Sequence, residues 1–251
     1  MKKSLTRLMG LAAIIGVAGL VVPTTTSFAD HLDNGEDWGK FEVEDRRSGY
    51  TYRKSETRAL QDDEFENPGM IAYDDGEVLW NKVDGSEDKS CASCHGDASE
   101  SMAGVGNTYP KVYEPIGKLH NLEQRINLCR TENMGAKEWK YESPELLAST
   151  VFVKRQSLDM PMTATVDGAA APFFEAGKDM YYEQVGQLQM SCANCHEDNA
   201  GNMIRADHLS EGQGNGFPTY RFKWQGVGSL HRRFRGCNSN IRATKLGYGS
   251  D

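Results

Sequence analysis

Beyond its first thirty residues the sequence has no long hydrophobic run, and it has no excess of positive charge: 28 Lys and Arg stand against 36 Asp and Glu, a formal net charge of −8. The first absence excludes a membrane-spanning helix from the bulk of the chain, because a span needs about 20 consecutive apolar residues. The second disfavours nucleic acid as a partner. The single apolar run, "LMGLAAIIGVAGLVV", follows Lys2, Lys3 and Arg7 and is succeeded by Ser27-Phe28-Ala29 before Asp30. A basic start, a short apolar stretch and a small-x-small end read as a secretory signal cleaved near Ala29, so residues 1–29 are expected to be removed on export. Cleavage takes away three cations and no acidic residue, leaving 222 residues with a net charge of −11.

Two sets of equal offsets run through the remainder. Gly76 lies fifteen residues before Cys91 and Gly177 fifteen before Cys192, with Trp80 and Tyr181 at the same step, all 101 residues apart. Further on, Pro110, Leu122, Arg125 and Cys129 match Pro218, Leu230, Arg233 and Cys237 at an offset of 108. Matches sharing two offsets indicate a duplication with seven extra residues in the second copy. Residues 30–75 belong to neither copy and carry fourteen acidic and six basic residues. They form an N-terminal extension expected to wrap the first copy in part, with a loose start and a short helix capped by Ser55 that carries Leu60 and Phe65.

Cys91-Ala-Ser-Cys94-His95 and Cys192-Ala-Asn-Cys195-His196 are both C-x-x-C-H. This spacing sets two thiols on one helical turn, where each can form a thioether to a haem vinyl while the next imidazole binds the iron. A lone C-x-x-C would equally be a zinc half-site or a redox disulfide. Two copies, each with its histidine, in an exported chain indicate two covalently attached haem c groups, with His95 and His196 as iron ligands.

Each iron then needs a sixth ligand or an open face. The first copy offers Met134, Met160 and Met162; the second offers Met203, too near His196 in sequence to reach the opposite face, and also His208, His231 and Cys237. Because Cys129 and Cys237 are in register, the economical assignment is Cys129 opposite His95 and Cys237 opposite His196. A Cys129–Cys237 disulfide is the alternative, since exported thiols tend to pair. Against it, equivalent positions in tandem domains lie over separate haems. Between Gly212 and Ser250 there is no acidic residue, while Arg221, Lys223, Arg232, Arg233, Arg235, Arg242 and Lys245 are basic. Some of these form a solvated face or partner haem propionates. Cations beside a cysteine favour its thiolate, and arginine offers paired donors to an oxyanion. Arg233, four residues before Cys237, can share a helical face with it. The pattern marks Cys237 as a reactive centre that receives an anion. Cys129, whose neighbours Arg125 and Arg130 are offset by Glu123 and Glu132, reads as a ligand only.

Two C-x-x-C-H motifs, a cysteine downstream of each, "RRFRGC" at residues 232–237 and "ETRALQDDEFENPGM" at residues 56–70 together resemble the SoxA family, dihaem subunits of the SoxAX cytochromes of thiosulfate oxidation. The likeness spans essentially the whole mature chain. It implies a periplasmic L-cysteine S-thiosulfotransferase that pairs with the monohaem cytochrome SoxX. Such an enzyme joins thiosulfate oxidatively to a cysteine of SoxY in the SoxYZ carrier and passes two electrons to cytochrome c. Carried over by position, Cys237 matches the active-site cysteine, which is also a haem ligand and can hold an extra sulfur as a persulfide. Arg233 matches the substrate-binding arginine, Cys129 the distal ligand of the first haem, and His95 and His196 the proximal ligands.

The expected fold is mostly α: two tandem cytochrome c-like domains at 76–165 and 166–251, after the extension. Ser143, fourteen residues past Cys129, is expected to cap a helix that closes the first domain. The second domain reaches Asp251 where its counterpart would begin, which reads as a chain cut short before that helix. A dihaem peroxidase or a plain dihaem electron carrier are the competing functions, and neither uses a cysteine nucleophile.

Overall fold

The computed structural model describes residues 41–43 and 46–250; the expected leader and the start of the extension lie outside them. Among the described residues helices predominate, joined by four two-stranded antiparallel hairpins. The extension contributes β1 (Glu42–Val43), β2 (Arg46–Arg47), a 3-10 turn at Gly49–Tyr52 and α1 (Ser55–Asp62). Ser55 is the first residue of α1 rather than its cap. Lys54 occupies the cap position without a side-chain bond, and Phe65 lies beyond the helix, 95% exposed.

The first half continues with α2 (Met70–Asn81), α3 (Cys91–His95), α4 (Ala98–Ser101), β3 (Lys111–Tyr113), β4 (Lys118–His120), α5 (Leu122–Asn133) and α6 (Pro144–Arg155). The second half holds α7 (Ala171–Tyr182), α8 (Cys192–His196), β5 (Met203–Ile204), β6 (Asp207–His208), β7 (Thr219–Arg221), β8 (Gly226–Gly228) and α9 (Leu230–Asn240). In each half a long helix leads through an isolated bridge, Asp84–Lys89 or Val185–Met190, into the C-x-x-C-H helix, and a hairpin then leads into the helix bearing the third cysteine. The described residues after α9 contain no helix corresponding to α6.

The sequence around α6 specifies its ends well. Ser143 accepts a hydrogen bond from the Leu146 N–H, Pro144 occupies the first turn, and Lys154 and Arg155 sit in the last, where they complement the helix dipole. Its buried face, Leu146, Leu147, Phe152 and Val153, packs along α2. Trp80, Ala98, Leu122, Phe152 and Val153 form the core, with the Trp80 and Phe152 rings 5.7 Å apart. Gly76 sits in the middle of α2, and the reason is this packing. A Cβ at Gly76 would stand 2.6 Å from the Phe152 Cβ and closer still to the Ala148 carbonyl oxygen. Gly177, at the same place in α7, has nothing within 4 Å of such a Cβ. Among the described residues after Val153, only alanines are buried apolar side chains.

The extension does not chiefly wrap the first half. Glu64 pairs with Arg155 of α6, but Arg47, Tyr52 and Arg53 all bond to residues 207–213 of the second half. Their partners are more than 150 residues away, so no local pattern could announce them.

The halves meet at α9. Glu142, held at φ 63°, accepts a hydrogen bond through Oε1 from the Ser229 N–H at 3.2 Å and faces Arg232 at 3.6 Å through Oε2. His231 stacks on Tyr141 (5.7 Å, 9°), its Nε2 lies 3.3 Å from Asn121 Nδ2, and its Nδ1 accepts from the Gly249 N–H at 3.0 Å. That last bond requires an unprotonated Nδ1. Burial pulls His231 below its ordinary 6.5, against the opposing charge of Glu142. The native state therefore favours the neutral ring, while the unfolded chain takes up the proton first as pH falls. His231 contributes stability above about pH 6.5 that is lost as pH drops through its lower native value. Thermal unfolding followed from about pH 7.5 to about 5.5 is expected to show this decline, and His231→Gln to flatten it.

Candidate functional site

The two C-x-x-C-H segments fold alike because their inner residues cap their own helices. In α3, Ser90 Oγ accepts from the Ser93 N–H at 3.0 Å while Ser93 Oγ accepts from the Ser90 N–H at 2.6 Å. In α8, Ser191 and Asn194 do the same at 3.2 and 3.0 Å. These reciprocal bonds satisfy the first amides of helices only five residues long. They place the two thiols of each motif one turn apart with the histidine at the helix end.

All six cysteines are free thiols, and no Cys129–Cys237 bridge is formed. Cys129, on α5, acts electrostatically on Cys91, whose thiol is pushed up first by burial and then by Cys129. Cys237, on α9, does the same to both Cys192 and Cys195, again after burial. Each third cysteine thus lies beside the C-x-x-C-H pair of its own half. The other donors are placed differently. Met160, Met162 and Met203 are exposed, Met134 is buried at the end of α5, His208 Nδ1 faces the Gly201 carbonyl at 3.1 Å, and His231 belongs to the junction between the halves.

The two histidines have unlike surroundings. His196 Nδ1 lies 2.6 Å from the Ser210 carbonyl oxygen; the bond makes Nδ1 the protonated nitrogen and leaves the Nε2 lone pair for a metal. Among the described residues His95 makes no ring hydrogen bond, and its aromatic neighbour is Trp80 at 5.8 Å.

Around Cys237 the charges form a cluster. Arg233 lies one helical turn before Cys237 on α9, and among the described residues its guanidinium makes no hydrogen bond or ion pair. Asp207 takes Arg53 on one carboxylate oxygen at 3.0 Å and Arg221 on the other at 2.9 Å. Burial would raise the Asp207 carboxyl, but the Arg53 hydrogen bond and the charges of Arg221, Arg53 and Arg233 hold it below the ordinary value. Arg221 is pulled down by burial and then by Arg233, an effect opposed by Asp207 and Cys237. Three guanidinium groups with one carboxylate leave a net positive cluster in the neighbourhood of Cys237, suited to an oxyanion. Arg53 and Asp207 had no signal in the sequence, because the contact that unites them spans 154 residues. Around Cys129 the cations are fewer: Arg130 is buried against the Trp139 ring (3.5 Å) and paired with Asp84 at 2.7 Å, which leaves Arg125, one helical turn before Cys129 and acting with it on Tyr109.

Among the described residues no group of three or more His, Cys, Asp or Glu is gathered to hold a bare metal ion. Free thiol pairs at C-x-x-C spacing, an adjacent imidazole with a directed Nε2 and a sulfur on a separate helix are instead the donor set of a haem c.

The family described as "SoxA/TsdA, cytochrome c domain" matches residues 75–162, and this domain implies covalently attached haem c. A protein of Pseudaminobacter salicylatoxidans named L-cysteine S-thiosulfotransferase subunit SoxA is 50% identical over 197 residues, 78% of this chain and 69% of that relative. The protein of the same name from Rhodovulum sulfidophilum is 42% identical over 228 residues, 91% of this chain and 76% of its own. The chain belongs to the SoxA family. A crystal structure of SoxXA from P. pantotrophus superimposes with a TM-score of 0.78 at 47% identity, covering 82% of this chain and 77% of that one. The SoxA likeness thus extends past the matched domain into the second half. No helix among the described residues is long and apolar enough to cross a membrane.

Proposed function

We propose that this chain is the dihaem subunit of a thiosulfate-oxidising SoxAX-type complex and acts as an L-cysteine S-thiosulfotransferase. The observation that carries the proposal is the charge around the two third cysteines: Cys237 follows Arg233 by one helical turn and interacts electrostatically with Arg221, which shares Asp207 with Arg53, whereas near Cys129 Arg130 is taken up by Asp84 and Trp139. Residues 76–165 and 166–251 are read as tandem cytochrome c-like units of duplicated origin, behind an extension at 30–75 and a leader at 1–29. Cys91, Cys94, Cys192 and Cys195 attach two haem c groups. His95 and Cys129 would hold one iron, and His196 and Cys237 the other. The partners are a SoxX cytochrome, the SoxYZ carrier, thiosulfate and a cytochrome c acceptor, in the periplasm.

When bound, haem accepts electrons singly and hands them on. Arg233, beside Arg221 and Arg53, holds the sulfonate end of thiosulfate so that its outer sulfur meets Cys237 Sγ. An S–S bond forms between the two sulfurs and two electrons leave toward cytochrome c. The SoxY thiol then attacks the outer sulfur, releasing Cys237 and a proton. The sum joins one thiol and one thiosulfate into a cysteine S-thiosulfonate, R–S–S–SO3−, with loss of two electrons and one proton.

Thiosulfate-dependent cytochrome c reduction by the protein with SoxX and SoxYZ tests the reading. Arg233→Ala is expected to raise KM for thiosulfate by roughly 10–100-fold, the worth of one charge-assisted contact, with both haems retained. An unchanged KM would remove Arg233 from the site.

A further inference from the structure

The hydrogen bond that orients His196 comes from Ser210, in a loop the second half does not hold alone. On one side of Ser210, Asp207 takes Arg53 at 3.0 Å. On the other, Glu211 accepts the Tyr52 hydroxyl at 3.1 Å and the Arg47 N–H at 2.8 Å, and Gln213 donates to the Arg47 carbonyl at 3.1 Å. A Cβ on Gly49 would lie 3.5 Å from that of Ser210 itself. Tyr52 is 5% exposed, lies over the loop with its ring 6.3 Å from His208, and has Arg47 5.1 Å from its own centroid. The extension therefore clasps residues 207–213 on both sides of the one carbonyl that touches His196. Nothing equivalent reaches His95 among the described residues.

We propose that residues 47–53 of the extension position the second iron ligand: Tyr52 and Arg53, acting through Glu211 and Asp207, hold the Ser210 carbonyl on His196 Nδ1. A short, fixed Nδ1–H···O=C bond draws the ring proton toward the carbonyl and makes Nε2 a stronger donor, which stabilises ferric over ferrous iron. The extension would thus hold the potential of the haem beside Cys237 below the value an unclasped histidine gives, without influencing the other haem. The same clasp keeps Arg221 beside Arg233 through Asp207, so the basic cluster and the iron ligand are fixed by one segment. The inference rests on the haem reading of His196 and is independent of the sulfur chemistry.

The test is a redox titration of the full haem-loaded protein against Tyr52→Phe, which removes the hydroxyl without altering charge or ring, and Tyr52→Leu, which also removes the ring. The second haem's midpoint is expected to shift upward, further for leucine, and its low-spin paramagnetic signal to change, while the first haem keeps both. Amide exchange at residues 209–212 is expected to accelerate by about tenfold or more as the loop opens. A second haem unmoved in both variants, or both haems moving together, overturns the proposal. Potentials are read without thiosulfate or carrier, so a failed turnover assay would strike the transferase reading and leave this one standing.

Discussion

Cys237→Ala is expected to lower thiosulfate-dependent cytochrome c reduction by about a thousandfold or more, while the protein keeps both haems. The size follows from what is lost. Without Sγ there is no atom to bond the outer sulfur of thiosulfate, and the surrounding arginines can bind the anion but not couple it to a thiol. Cys129→Ala is the paired control. It removes the equivalent sulfur of the first half, where Arg130 is committed to Asp84 and Trp139. The control is expected to change the spectrum of the first haem and leave turnover within about a factor of ten. Haem content measured on both variants separates lost chemistry from lost assembly. Turnover that survives in Cys237→Ala would overturn the transferase reading built on this cysteine.

The second large effect concerns stability. Gly76→Ala is expected to destabilise the protein by about 3 kcal/mol or more, because the new methyl meets the Ala148 carbonyl and the Phe152 Cβ of α6, and neither can give way. Gly177→Ala, the same change at the same position of α7, meets open space. It is expected to stabilise by roughly 0.5–1 kcal/mol, through the lower backbone entropy cost of alanine within a helix. Thermal unfolding resolves the pair readily, since 1 kcal/mol corresponds to about 2–4 °C at this size. A neutral Gly76→Ala would mean that α2 and α6 do not cross at this glycine.

These contrasts show which residues could be read in advance. The two C-x-x-C-H groups were legible from spacing alone, because two thiols and an imidazole within five residues need no tertiary help to be neighbours. Ser143 as a helix cap was legible for the same reason: the bond it makes reaches Leu146, three residues on. Ser55 failed as a cap because α1 begins one residue earlier than its polar pattern suggests, a shift that local propensity does not resolve. Gly76 was legible as a repeat position but not as the crossing point that α6 makes of it. The docking of the extension on the second half was illegible, since Arg53 and Asp207 carry no mark that pairs them.

By itself, then, the sequence determined the chemistry that short spacing can express: an acidic chain, two C-x-x-C-H motifs, a third cysteine in register after each, and an acid-free basic stretch around the second. Only the tertiary structure decided that Arg53 and Arg221 share Asp207 near Cys237, that Ser210 orients His196, and that α6 closes over Gly76. The physical reason is range. Capping bonds and motif geometry act within one or two turns and are written in adjacent residues, while ion pairs and helix crossings join positions whose proximity exists only after the chain has folded.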